Sequence, residues 1–215
     1  MSQLLNEVSV ALQGGKVKAV KELITKALEE GLSAPDILQD GLMAGMDVIA
    51  VKFKNNEVYV PEVLIAARAM NAGVEILKPR LAESGVKPVG KAVIGTVKGD
   101  LHDIGKNLVR MMFESKGIEV VDAGVDVSSE KFVELVKTEK PDIVAMSALL
   151  TTTMPEMKST IEALEAAGLR NNVTVMVGGA PITDDFRSSI GADIYKSDAA
   201  SAAEAARQAI LDKAS

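Results

Sequence analysis

The sequence predicts an α/β chain in two parts, an N-terminal four-helix bundle followed by a five-stranded parallel sheet. Three observations carry this. Up to about Ser84 the apolar residues recur at helical spacing, and from Lys91 onward short β-type runs alternate with helical segments. The change falls at Gly85-Val86-Lys87-Pro88-Val89-Gly90, a Gly/Pro-bearing stretch that suits a boundary between domains 1–86 and 87–215. No hairpin signal separates the β runs, so the strands pair in parallel through helical crossovers. The expected sheet is doubly wound, flavodoxin- or Rossmann-like, in the order 2-1-3-4-5.

In the first part, helices are expected at roughly 2–13, 15–30, 34–54 and 60–84, broken at Gly14-Gly15, Gly31 and Asn55-Asn56. In the second, strands are expected at 92–97 (AVIGTV), 118–123 (IEVVDA), 142–146 (DIVAM), 173–177 (VTVMV) and 192–195 (ADIY). Gly117 and Gly168 stop two of the intervening helices, and Ser128 with Glu130 starts another. There is no internal repeat and no low-complexity segment.

Composition narrows the function classes. The 215 residues are nearly half hydrophobic, enough for a folded core in each part. A formal charge of −6 argues against a nucleic-acid partner, which requires a basic surface. With no Trp, two Tyr and four Phe, the chain is poor in aromatic platforms on which the bases of a single-stranded nucleic acid could stack, while ten methionines suit an aliphatic core with adaptable gap-fillers. The opening MSQLLNEVSV has no signal-peptide form, and nothing approaches the ~20 apolar residues of a membrane span. A cytoplasmic protein with no membrane partner is expected. The absence of cysteine agrees with a reducing compartment and excludes disulfides and iron–sulfur ligation.

The only histidine, His102, lies in Gly99-Asp100-Leu101-His102-Asp103-Ile104-Gly105, directly after the first strand. One imidazole and no thiol cannot build an ordinary zinc site. A single histidine suffices for a metal whose other positions are already filled, as in a macrocycle that lacks one axial ligand, and a carboxylate two residues away can orient that ligand. Two further unusual segments, Ser147-Ala148-Leu149-Leu150-Thr151-Thr152-Thr153 and Gly178-Gly179-Ala180-Pro181, follow the third and fourth strands. In the order 2-1-3-4-5 these three strands are neighbours, and ligands bind at their carboxyl edge.

Each motif also has a plain structural reading. A loop histidine is commonly a hydrogen-bonded surface group, and Gly178-Gly179 has the form of a tight strand-to-helix turn. Thr153 with Glu156 has the form of a capping box. Met43, Met46, Met70, Met111 and Met112 read as core fillers. Nucleotide alternatives fit poorly: Gly105-Lys106-Asn107 lacks the P-loop spacing, and no G-x-G-x-x-G follows the first strand.

Asp100-x-His102-x-x-Gly105, Ser147-x-Leu149 and Gly178-Gly179, within GTVKGDLHDIGKNLV and with the closing Tyr195-x-x-Asp198-Ala199, resemble the methyl-transferring corrinoid proteins. These are similar to the cobalamin-binding module of methionine synthase, and the resemblance covers nearly the whole chain. It implies a cobalamin bound base-off, with His102 replacing the dimethylbenzimidazole tail on cobalt, Asp100 holding the distal imidazole nitrogen, and Thr153 completing a ligand triad. Many relatives have serine at that last position, and the capping-box reading competes for the same hydroxyl. Ser147, Leu149, Thr151, Gly178 and Gly179 would line the slot for the tail. Tyr195, Asp198, Ala199 and the loop residues Gly99, Leu101, Asp103, Ile104 and Gly105 would join them around the cofactor. The helical part resembles the family's cap domain, and by FKNNEVYVPEV its Phe53 and Val60 would face the corrin.

What the resemblance implies for function is a carrier subunit of a methyltransferase system rather than a complete enzyme. Cobalt would cycle between cobalt(I) and methyl-cobalt(III). A substrate-specific methyltransferase would load the methyl group, an acceptor methyltransferase would pass it to tetrahydrofolate or coenzyme M, and a reductive activator would restore cobalt(I). Gly85 to Gly90 would be the hinge of the cap. The competing readings are a cobalamin-binding sensor, which calls for an attached basic DNA-binding segment; the small subunit of a radical mutase, which has no need of a helical cap; a phosphoacceptor receiver; and a flavodoxin-like electron carrier, which leaves His102 beside Asp100 unexplained.

Overall fold

The computed structural model describes residues 2–85 and 87–214, with the side chain of 214 left out. The chain forms two compact units, 1–87 and 88–215. Val86, inside the expected hinge, lies outside the described residues, as do positions 1 and 215 of the expected domains.

The first unit is helical: α1 (Gln3–Gln13), α2 (Val17–Glu29), α3 (Ala34–Asp36) running through a π-helical stretch Ile37–Met43 into α4 (Ala44–Lys54), and α5 (Val60–Glu83). Its core is aliphatic, with Val8, Leu12, Val20, Ile24, Ile37, Leu42, Met46, Val63 and Leu77 buried. Gly73 permits close packing of α5, since a Cβ there would stand 2.7 Å from Ile24 and 3.0 Å from Leu42. The expected helix at 34–54 is continuous, but its middle is π-wound, which no hydrophobic spacing reports. Ser33 caps it by accepting the Asp36 N–H at 3.2 Å.

The second unit is a five-stranded, all-parallel sheet of β1 (Gly90–Val97), β2 (Ile118–Val127), β3 (Ile143–Ser147), β4 (Thr174–Gly178) and β5 (Ile194–Tyr195), in the order β2-β1-β3-β4-β5. The helices are α6 (Ile104–Ser115), α7 (Ser129–Glu139), α8 (Pro155–Ala166), the short α9 (Asp184–Ser189) and α10 (Ala199–Ala214). β1, β3 and β4 are apolar on both faces, as central parallel strands must be. Val93, Val97, Val144, Met146, Val175 and Val177 pack with Phe132 and Val136 of α7 and with Met157, Ile161 and Leu164 of α8. The opposite face meets α10, whose Ile210 lies where a Cβ on Gly90 would be, and α6 packs on α10.

Three strands differ in length from the sequence expectation, and β1 begins two residues early, at Gly90. β5 is paired only at Ile194 and Tyr195. β2 runs on to Val127 because two register irregularities against β1 absorb its polar, glycine-containing end: Ile94 pairs Asp122, Gly95 pairs Gly124 and Val97 pairs Val127. Ser128 caps α7 by accepting the Lys131 N–H at 3.3 Å. Gly117 (φ +77°) and Gly168 (φ +70°) turn the chain after α6 and α8.

Candidate functional site

The carboxyl ends of β1, β3 and β4 lie side by side, with Thr96 paired to Ser147 and Ser147 to Gly178. This brings the three sequence segments together at one edge. The loop after β1 turns at Gly99 (φ +79°) and drives Asp100 into the protein, where it is fully buried. An isolated buried carboxylate would be costly, but this one is saturated with donors. Its Oδ1 accepts the His102 N–H at 3.1 Å and lies 2.8 Å from His102 Nδ1. Its Oδ2 accepts the Leu149 N–H at 2.8 Å, the Leu150 N–H at 3.2 Å and the Thr153 hydroxyl at 2.8 Å. Burial by itself raises the carboxyl's pKa, but the His102 and Leu149 N–H groups and the His102 and Thr153 side chains outweigh it. The group is held well below the ordinary carboxylate range.

An ionised Asp100 fixes the state of its neighbour. Oδ1 is an acceptor only, so Nδ1 of His102 carries the proton and the lone pair of the neutral ring is on Nε2. The imidazole side chain is 51% exposed beside its wholly buried partner. Leu101, Leu149 and Leu150 on the loops and Ile104 at the start of α6 are exposed large hydrophobics. Such a cluster of apolar side chains marks a binding surface.

Thr153 corrects the capping-box reading. α8 begins at Pro155 after Met154, and Glu156 donates its N–H to the carbonyl of Thr153, not to its hydroxyl. The buried hydroxyl reaches Asp100 Oδ2 and, at 2.9 Å, the Leu150 carbonyl. It has one proton, and the anionic oxygen is the stronger acceptor.

The two glycines after β4 have different reasons. A Cβ on Gly178 would meet nothing within 4 Å, so its absence leaves open space, and the same is true of Gly105 at the start of α6. Gly179 (φ +133°) is required by the backbone, since a Cβ there would overlap the Ala148 carbonyl oxygen. Ser147 is half-buried, its hydroxyl without a hydrogen-bond partner among the described residues, and Thr151 is exposed. Asp103 accepts from Asn107 at 3.0 Å on the first turn of α6. Asp198 caps α10 by accepting the Ser201 N–H at 2.8 Å, Ala199 is buried, and Tyr195 is half-buried at the end of β5. Phe53 and Val60 belong to the first unit, half-buried on α4 and at the start of α5.

Sequence reading missed Thr96 and Asp126. Thr96, buried on β1, donates its hydroxyl to the His102 carbonyl at 2.9 Å, and Asp126 at the end of β2 accepts the Gly99 N–H at 2.7 Å. The available signal was an acid at a strand's carboxyl end, in Val125-Asp126-Val127. Among the described residues, no three His, Cys, Asp or Glu side chains gather to hold a metal ion by themselves.

The carboxyl edge of the parallel sheet thus brings together an Asp-oriented imidazole, an apolar rim and side-chain-free space. The model of the B12 binding domain matches residues 90–207, and that of a second B12 binding domain matches residues 4–78. The chain belongs to the B12-binding family of corrinoid proteins, and its cofactor is cobalamin. It is 44% identical to dimethylamine corrinoid protein 1 of Methanosarcina acetivorans, over 96% of this chain and 97% of the relative. It is 43% identical to trimethylamine corrinoid protein 1 of Methanosarcina mazei, over 88% and 89%. Among solved structures it resembles the methanol:cobalamin methyltransferase complex of Methanosarcina barkeri, with a TM-score of 0.87 at 32% identity, over 98% of this chain and 80% of that one. Among the described residues no helix is long and apolar enough to cross a membrane.

Proposed function

We propose that this chain is the methyl-carrying corrinoid subunit of a methyltransferase system, holding cobalamin base-off with His102 as the axial ligand. Cobalamin, when bound, supplies a cobalt centre able to accept and release a methyl group. His102 Nε2 is the ligating atom, because Asp100 occupies Nδ1 at 2.8 Å. Asp100, an anion with five donors, holds the Nδ1 proton in place and makes the imidazole a stronger donor. Thr153 closes the network from the turn before α8. When His102 is not ligating, Nε2 is the atom open to a proton. The open space at Gly178, with Ser147 beside it, would take the displaced nucleotide tail, while Leu101, Ile104, Leu149 and Leu150 would shield the lower face from water.

The likeness to methylamine corrinoid proteins and to the methanol:cobalamin methyltransferase complex supports a substrate-specific methyltransferase as one partner. An acceptor methyltransferase and a reductive activator complete the proposed system, and the helical unit, with Phe53 and Val60, is proposed as the cofactor's cap. The single observation that carries the reading is the Asp100-held His102, whose Nε2 has no hydrogen-bond partner among the described residues. The test is reconstitution with hydroxocobalamin, removal of free cofactor, and measurement of cobalt content and absorption spectrum beside His102→Ala. Near-equimolar cobalt with a histidine-ligated spectrum that the variant loses is expected. Reduction of the loaded protein to cobalt(I), methylation with methyl iodide with release of iodide, and transfer of that methyl group to coenzyme M or tetrahydrofolate by an acceptor methyltransferase then separate a carrier from a sensor.

A further inference from the structure

Asp100's five acceptor bonds orient its carboxylate, but none of them acts on its own main chain. That task falls to Asp126. Its Oδ1 accepts the Gly99 N–H at 2.7 Å, and its own N–H donates to the Asp100 carbonyl at 3.0 Å. The two bonds close a clip across Gly99 and Asp100. In a regular ladder the Asp126 N–H would face β1. Here Gly95 pairs Gly124 and Val97 pairs Val127, so two residues of β2, Val125 and Asp126, stand opposite Thr96 alone. The bulge withdraws Asp126 from the ladder and turns it to the loop. Asp126 lies at φ +54°, a conformation that aspartate tolerates better than most side chains. A second tether is the Thr96 hydroxyl, which donates to the His102 carbonyl at 2.9 Å.

We infer that Asp126, together with Thr96, is a positioning residue for the axial ligand: it fixes the backbone from which Asp100 and His102 project, and so the direction of Nε2. It reaches neither the imidazole nor any of the five donors on Asp100. The inference rests on the reading of His102 as the cobalt ligand and assigns that ligand a support outside the Asp100 and Thr153 network.

The test compares Asp126→Gly, which suits the positive φ and removes the carboxylate, with Asp126→Asn, which keeps an acceptor oxygen. In the cobalamin-free full-length protein, hydrogen exchange at the Gly99 amide is expected to quicken by about tenfold or more in the glycine variant and to stay near wild type in the asparagine variant. After loading with hydroxocobalamin, the histidine-ligated fraction is expected to fall in the glycine variant at unchanged cobalt content, and to be rescued by asparagine. Thr96→Val is expected to lower the ligated fraction in the same direction, and decides the matter should the glycine variant not fold. Unchanged exchange overturns the clip. Faster exchange with an undiminished histidine-ligated fraction reduces Asp126 to a turn residue and overturns the inference. A wild type that holds cobalt without histidine ligation overturns the ligand reading itself, whatever the exchange data show.

Discussion

At the scale of single residues, the site separates groups that hold the fold from groups that leave room for a ligand. Gly178 and Gly179 are adjacent, yet their substitution should fail in different ways. Gly179→Ala puts a Cβ onto the Ala148 carbonyl at φ +133°, and is expected to destabilise the protein by about 3 kcal/mol or more. Gly178→Ala enters open space, and is expected to change stability by less than about 1 kcal/mol while weakening cobalamin retention. Urea denaturation and cobalt content, measured on both variants, check the contrast. Thr153→Val removes one charge-assisted hydrogen bond from an anion that keeps four other donors, at an expected cost of about 1–2 kcal/mol, and Thr153→Ser should recover most of it. After loading with hydroxocobalamin, the His102-ligated fraction is expected to fall in Thr153→Val and to recover in Thr153→Ser, and an unchanged spectrum in both would show that the hydroxyl does not support the imidazole.

At the scale of elements, α6 is fastened to β2 by an ion pair that no motif announces. Lys106 Nζ, almost wholly buried, lies 2.6 Å from both carboxylate oxygens of Asp122, with Arg110 at 3.4 Å from Oδ2. Breaking a fully buried pair from one side costs about 3–5 kcal/mol, but Asp122 keeps 24% exposure and has Arg110 nearby, so Lys106→Met should cost about 2 kcal/mol. Adding Asp122→Asn to it should return part of that loss, which a double-mutant cycle by denaturation reads directly. The elements were largely legible in the sequence because β1, β3 and β4 are unbroken apolar runs and Ser128, Gly117 and Gly168 punctuate the helices. The end of β2 was not, because Asp122, Gly124 and Asp126 interrupt its apolar pattern where bulges, not alternation, govern the pairing. The π-wound stretch 37–43 kept the apolar spacing of an ordinary helix. In the site, Asp100, His102 and Gly178 were legible from their places after strands one and four. Asp126 was not, since its partner, Gly99, is 27 residues away and reached only through the sheet.

For the molecule as a whole, two acids tie stability to pH. Burial, the largest single influence, would raise both Asp100 and Asp122, yet the donors to Asp100 together, and the Lys106 and Gly124 hydrogen bonds to Asp122 with the Lys106 and Arg110 charges, outweigh it and lower both. A carboxyl lowered in the folded state binds fewer protons than its unfolded counterpart, so its contribution is complete above the ordinary value of 3.8 and is lost as pH falls through the folded value. Glu114, raised by burial, acts in the opposite sense and softens the loss. Stability measured by urea is expected to hold from about pH 7 to pH 5 and to fall below about pH 4, more shallowly in Asp122→Asn. A flat profile down to pH 3 would contradict these assignments.

The sheet's two outer strands bear on how such a molecule meets others. β5 offers only two paired residues, and β2, though ten residues long, is broken twice in register and carries Asp122, Gly124 and Asp126 along its outer run. A second chain seeking to add a strand would find neither a straight rail nor an apolar one. The sheet is thereby guarded against runaway self-association in any extended state that brings copies together, and recognition by other proteins is left to helices and loops, which can release what they hold.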